Sequence, residues 1–243
     1  MIQPLRVHII PVGDEIVERI IKPAEIGRAD KIYFIRFSGN DLFENTFLKA
    51  RDALVDSLNK LEVIEKRCNY YEFPELMKIY AEIFREEQNV GNTIFVNVST
   101  GGKLNSIAGT LACMLFGGFP YFCIKDFTTG KIASDPILNL PVYSVNKPEK
   151  ELLQFLVDIK KRMGKSQTIS KKECLVMLKN AGVPGFSASD RTSKFYNKLK
   201  FRYLDKLLAR KYIKVGAGSR GEISITPEGK FALDTFSIYY ELK

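Results

Sequence analysis

Residues 96–106 read VNVSTGGKLNS, an apolar run that ends in an amide, two hydroxyls, two glycines and a lysine. Asn97, Ser99, Thr100, Gly101, Gly102 and Lys103 together offer hydrogen-bonding groups, backbone that can come close to a ligand, and one point charge. This is chemistry for holding an anion, phosphate above all, if Lys103 opens a helix whose first N–H groups are free. The same residues suit a plain strand-to-helix turn with Ser99 or Thr100 as its cap, and the loop alone does not choose between the two. It has neither the GxxxxGK[ST] nor the GxGxxG spacing, so it carries no motif for nucleoside triphosphate hydrolysis or dinucleotide redox chemistry.

Other chemistries are poorly supplied. The chain has one histidine, His8, inside an apolar strand-like run. A Ser-His-Asp triad or a multi-histidine metal site would have to be built around that residue, and a core or near-surface role fits it better. Cys68, Cys113, Cys123 and Cys174 are scattered, with no CxxC pair or Cys/His cluster for zinc; reduced, buried thiols are expected. No apolar run is long enough to span a bilayer, and the N-terminus has no signal-peptide pattern, so a cytoplasmic protein without a membrane partner is expected.

The elements that must position the loop are legible from periodicity. RVHIIPV (6–12), KIYFIRF (31–37), IFVNVS (94–99) and FPYFCIK (119–125) read as strands. Segments 44–61 and 74–88 carry apolar residues at helical steps of three and four. Strand and helix in alternation predict an α/β fold, a Rossmann-like, mainly parallel sheet flanked by helices. Ligands of such sheets bind outside the carboxyl ends of the strands. Here those exits are Val12-Gly13-Asp14-Glu15, Ser38-Gly39-Asn40-Asp41 and the Asn97–Lys103 loop, all small, polar or glycine-containing. After the last exit, Ser106, Ala108, Gly109 and Ala112 would let a helix approach the sheet closely, or in a second reading a twin subunit.

Charge divides the chain. Residues 1–146 hold 16 Lys and Arg against 18 Asp and Glu, for −2; residues 147–243 hold 21 against 10, for +11, which together give the net +9. A near-neutral domain over 1–146 joined to a basic domain over 147–243 points to a polyanion as the second domain's partner, or to a solvated basic surface. Pro148 suits the first turn of a helix running to about Met163. Ser170 and Glu173 have capping-box spacing for a second helix ending near Gly182. A third helix, capped by Ser189 or Asp190, runs to about Lys211, with Lys194, Asn197, Lys198, Phe201 and Arg202 gathered on one side. A glycine-rich hairpin over 212–226 with Arg220 at its tip and a last helix complete the order of a winged helix-turn-helix. In that motif the recognition helix enters the major groove and the wing touches the backbone or minor groove. Thr192, Ser193, Lys194, Asn197, Lys198 and Arg202 are the candidate double-stranded DNA contacts of the helix, and Arg220 that of the wing. Protein contact is the competing use of such a domain.

VNVSTGGKLNSIAGTLACM, preceded by strand–helix units whose first loop is VGDE, resembles the CRISPR-associated Rossmann-fold (CARF) domain, especially archaeal versions fused to a winged helix-turn-helix. The resemblance implies a homodimer that binds a cyclic oligoadenylate, cyclic tetra-adenylate being the candidate ligand, in a cleft across the two-fold axis. The matching positions are Asn97, Ser99, Thr100, Gly101, Gly102 and Lys103, with Gly13 and Asp14 from the first exit and Ser38, Gly39 and Asn40 from the second. Asp14 and Glu15 suit an anionic ligand poorly and fit a helix cap or a pair with Arg19. The expected function is a ligand-responsive, DNA-binding transcriptional regulator linked to CRISPR defence, without a catalytic residue or metal. The alternatives are a ring nuclease that cleaves the cyclic nucleotide, for which no general base is evident, and a non-catalytic RNA- or protein-binding adaptor.

Overall fold

The computed structural model describes residues 3–13, 16–39, 43–126, 128–143, 145–164, 166–186, 192–216 and 221–242. Its contacts divide the chain into two units, Met1–Lys147 and Pro148–Lys243.

The first unit runs β1 (Arg6–Pro11), α1 (Glu18–Ile26), β2 (Lys31–Phe37), α2 (Glu44–Ser57), β3 (Glu62–Cys68), α3 (Phe73–Asn89), β4 (Thr93–Asn97), α4 (Gly102–Phe116), β5 (Phe119–Lys125) and β6 (Ile132–Asn139). The strands form one sheet in the order β3-β2-β1-β4-β5-β6, with β6 antiparallel to β5 and every other pair parallel. It is a Rossmann-like α/β sheet. The central strands β1 and β2 are buried almost end to end, which is why their sequences are mainly apolar runs, with His8 and Arg36 as their buried polar members. Helix α1 packs with α2, and α3 with α4. Helices α1 and α2 share one core cluster with β1 and β2.

Three elements lack a sequence signature. β3 (EVIEKRC) is an edge strand whose charges discourage pairing with another chain, and those charges mask its strand character. β6 (IASDPILN) contains Asp135 and Pro136, tolerated because it is the other edge. α1 carries Pro23 within it. The small residues of α4 face inward: a Cβ at Gly109 would lie 2.9 Å from Val96 Cγ1 and 3.1 Å from the Tyr80 hydroxyl. Ala108 and Ala112 are buried beside it, so this stripe serves packing inside the subunit.

His8 is buried in β1, its ring stacked on Phe95 with centroids 5.1 Å apart and Nδ1 3.2 Å from the Tyr121 hydroxyl. Burial, and secondarily the charge of Arg6, push its pKa down from 6.5 to about 4. The unfolded chain therefore binds a proton that the fold refuses: stability is complete above pH 6.5 and falls as the pH drops toward 4, by about 3 kcal/mol. Denaturant titrations of His8→Phe should show a flatter loss over that window, and a slope equal to the parent's would assign the acid sensitivity to other groups.

The second unit runs α5 (Lys150–Met163), α6 (Lys171–Asn180), α7 (Thr192–Leu199), a π-helical turn (Lys200–Leu204), α8 (Asp205–Ala209), β7 (Ile213–Val215), β8 (Ile223–Ile225) and α9 (Pro227–Tyr240). The Ser170 capping box is formed on both sides: Glu173 N donates to Ser170 Oγ (3.2 Å) and Ser170 N to Glu173 Oε2 (2.8 Å). β7 and β8 pair antiparallel, and Ile169 bridges to Ile223 as a third short strand. Three helices, a hairpin and a closing helix make this a winged helix domain.

The expected third helix is α7, the π turn and α8 in series. Phe195, Leu199, Tyr203 and Leu207 are all buried, a strict four-residue spacing. Against the 3.6-residue turn of an α-helix this spacing drifts by roughly 40° per step. The wider turn at Lys200–Leu204 takes up the drift and returns Tyr203 and Leu207 to the core, where Tyr203 lies 4.3 Å from Phe155 between ring centroids.

Candidate functional site

β1 and β4 are neighbours, yet the chain leaves β1 through α1 toward β2 and leaves β4 through α4 toward β5. That reversal marks the switch point at the carboxyl ends of the two strands, the place where open α/β sheets bind ligands. Gly13 follows β1 and the Val98–Lys103 segment follows β4. The two exits touch through backbone: a Cβ at Gly13 would lie 2.7 Å from Gly101 Cα, and one at Gly101 would lie 2.3 Å from Pro11 Cβ. Gly101 and Gly102 both have left-handed φ, +78° and +81°.

The polar side chains of the loop divide into two groups. Asn97 is fully buried; its amide donates to Arg19 O (3.0 Å), and its Oδ1 accepts from Ser99 N (3.0 Å) and the Ser99 hydroxyl. Thr100 is buried and donates to Pro11 O at 2.6 Å. Asn105 Nδ2 donates to Gly101 O at 2.6 Å. Asn97 and Thr100, expected as ligand contacts, thus have their side chains committed to shaping the loop, because the carbonyls of Arg19 and Pro11 need partners at this buried junction. Gly102 and Lys103 lie on the outside. Both are exposed, a Cβ at Gly102 would meet nothing within 4 Å, and no side chain caps α4. The first-turn N–H groups of α4, the dipole behind them and the Lys103 ammonium suit an anion.

Tyr70 is a positioning residue that the sequence did not reveal. Its hydroxyl accepts from Val12 N (3.1 Å) and lies 2.9 Å from Val12 O and 2.5 Å from Ile35 O, pinning the ends of β1 and β2 together. Burial raises its pKa far above the usual phenol, so it acts as a neutral hydroxyl. Its one signal, a tyrosine just after a strand, depended on seeing β3. At the next exit Ser38 and Gly39 are exposed, with the Phe37 ring against Gly39. Asp14 and Asn40 lie outside the described residues.

In the winged helix, Lys194, Asn197 and Lys198 are exposed along α7. Lys198 Nζ donates to Gly185 O at 3.1 Å. Arg202, expected to reach DNA, is half-buried and engaged within the domain, donating to Pro184 O (3.0 Å) and pairing with Glu151 Oε1 (2.6 Å). It ties Pro184 and the start of α5 to the π turn. The side chains of Thr192 and Ser193 and the whole of Arg220 lie outside the described residues. Gly216 to Gly221 has GxGxxG spacing, but it joins two antiparallel strands and so is no dinucleotide turn.

Among the described residues no cluster of three or more His, Cys, Asp or Glu could hold a metal ion, and no helix is long and apolar enough to cross a membrane. Residues 6–123 match the family model described as HFX_2341_N-like, N-terminal, and residues 149–237 match the DUF6293 C-terminal winged helix domain. These matches fall on the two parts that carry the CARF and winged-helix resemblance. No curated protein matches the chain. Among solved structures it is similar to Can2 from Sulfobacillus thermosulfidooxidans in complex with cyclic tetra-adenylate, at 15% identity and TM-score 0.43 over 96% of this chain. It is also similar to Enterococcus italicus Csm6 bound to cyclic hexa-2'-fluoro-hexa-dAMP, at 12% identity and TM-score 0.49 over 88%, and to VC1899 from Vibrio cholerae, at 12% and 0.43 over 96%. The chain spans 64%, 56% and 65% of those three chains.

Proposed function

We propose that this chain, which joins an HFX_2341_N-like N-terminal domain to a DUF6293 C-terminal winged helix domain, is a ligand-responsive DNA-binding transcriptional regulator. In this reading residues 1–146 sense a cyclic oligoadenylate and dimerise, and residues 147–243 bind double-stranded DNA. One observation carries the sensing half. At the switch point the loop entering α4 is built from two left-handed glycines, with its polar side chains turned inward and its uncapped helix N-terminus and Lys103 turned outward. Such an opening recognises phosphate through backbone and charge. Leu104 and Ile107, 38% and 52% exposed on α4, supply an apolar face for the twin subunit. The +11 charge of residues 147–243 supplies the attraction for DNA.

A mobility-shift titration of a random duplex library, with and without cyclic tetra-adenylate, tests both halves on the full chain. We expect duplex retention at low salt, a several-fold change in affinity with the nucleotide, loss of that change in Lys103→Ala, and a dimer by sedimentation. Failure to retain any duplex at low salt would refute the regulator. Linear products that disappear in Lys103→Ala would replace the sensor with a nuclease.

A further inference from the structure

The exposed stripe of the recognition helix contains one residue that electrostatics does not explain. Lys194, Asn197, Lys198 and Phe201 fall at i, i+3, i+4 and i+7, on one face of α7 and the turn that follows. Phe201 is 66% exposed, whereas Phe195, Leu199, Tyr203 and Leu204 around it are buried. An apolar ring held in water among cations is a local cost to the fold and gains its return where it meets an apolar surface. The neighbouring cations are partly spent: Lys198 donates to Gly185 O, and Arg202 to Pro184 O and Glu151. Lys200 Nζ sits 5.5 Å from the Phe201 ring centroid, which restrains the ring while leaving its charge beside it. Together with Asn197, Lys198, Arg202 and the Pro184–Phe186 turn, Phe201 lines an open concavity of about 470 Å³.

The occupant that matches this combination is a polyanion with an apolar knob at the depth of the recognition helix. In the major groove the one apolar group on a base edge is the C5-methyl of thymine, and phenylalanine is among the side chains that contact it. We infer that Phe201 is a base-reading residue of this winged helix, taking a thymine methyl while Lys194 and Lys200 meet the adjacent phosphates. The inference rests on the DNA-binding reading above and adds a specificity that the basic residues cannot supply.

Fluorescence anisotropy with the full chain tests it, using the tightest duplex selected from a random library. Each thymine is replaced in turn by uracil, which removes only the methyl. At one or two positions the parent protein should lose about fourfold in affinity, the worth of one buried methyl. Phe201→Ala should lose affinity for the thymine duplex and become indifferent to uracil at those positions, while Phe201→Leu keeps part of the discrimination. Because the ring is on the surface, the variant's melting temperature should stay close to the parent's. Indifference of the parent to every replacement, or discrimination that survives in Phe201→Ala, would overturn the assignment while leaving DNA binding intact. Absence of binding to every duplex would instead remove the DNA reading itself.

Discussion

Gly101→Ala is expected to unfold the first unit at much lower denaturant than Gly102→Ala, although the two positions are adjacent and share a left-handed φ. For both, an L side chain in that conformation costs about 1–2 kcal/mol. They differ in what a methyl would meet. At Gly101 it would lie 2.3 Å from Pro11 Cβ and 3.1 Å from Asn105 Cβ, so β1 and the loop must separate. Overpacking of this kind adds about 1–3 kcal/mol, bringing the total to about 2–5. At Gly102 the methyl enters open space. That space is the mouth of the proposed phosphate site, so Gly102→Ala should cost nucleotide affinity while sparing most of the stability. Urea denaturation and nucleotide titration of the two variants separate these effects. Equal losses of stability would mean that φ alone, and not the contact with Pro11, requires glycine at position 101.

The contrast shows what could be read from the sequence. The three polar exits were visible because mainly apolar runs end abruptly at Gly13, Ser38 and Asn97, and buried parallel strands produce such runs. Which way each side chain turns was not visible. Asn97 and Thr100 have the chemistry of ligand contacts, but carbonyls from distant parts of the chain, Arg19 O and Pro11 O, claim them. Lys198 and Arg202 likewise read as free cations until the α6–α7 turn brings the carbonyls of Gly185 and Pro184 within reach. Tyr70 stayed hidden because the strand before it is charged. In the winged helix the Ser170 box is a short-range rule and was legible, whereas the four-residue spacing from Phe195 through Tyr203 emerges only from the buried side chains. The π turn follows from that spacing once it is compared with 3.6. Helical periodicity alone selects Phe195, Leu199, Leu204, Leu207 and Leu208 for the core, and the turn exchanges Leu208, 40% exposed, for Tyr203.

Replacing Glu149 and Glu151 together by glutamine is expected to leave duplex affinity within about threefold of the parent and to remove most of the nucleotide's effect on it, an effect expected near the 5- to 150-fold of ordinary allosteric coupling. These two carboxylates stand at the entry to α5, just beyond Lys147 and Pro148, where the first unit ends. Glu149 accepts from Lys206 Nζ with both oxygens, at 2.8 and 2.9 Å, and Glu151 accepts from Tyr203 and pairs with Arg202. All three partners belong to the π turn and α8, the continuation of α7. The hydrogen bond from Lys206 and its charge hold the Glu149 carboxyl below the ordinary carboxylate range. The pairs are solvent-exposed in part, so their contribution to stability is small. Their geometric effect is larger, because a displacement of the connector at Pro148 moves two grips on one helix. A ligand shifts DNA affinity only through an element that takes different positions in the two states, and in the proposed regulator these contacts, close in the chain to the end of the first unit, are the element to test. Glutamine keeps the size and hydrogen-bonding capacity while removing the charge that makes each grip persist. Anisotropy titrations with and without cyclic tetra-adenylate read the outcome. A double variant that still responds like the parent would show that the signal reaches the recognition helix by another route, and weakened DNA binding without the nucleotide would show that the grips hold the reading geometry itself.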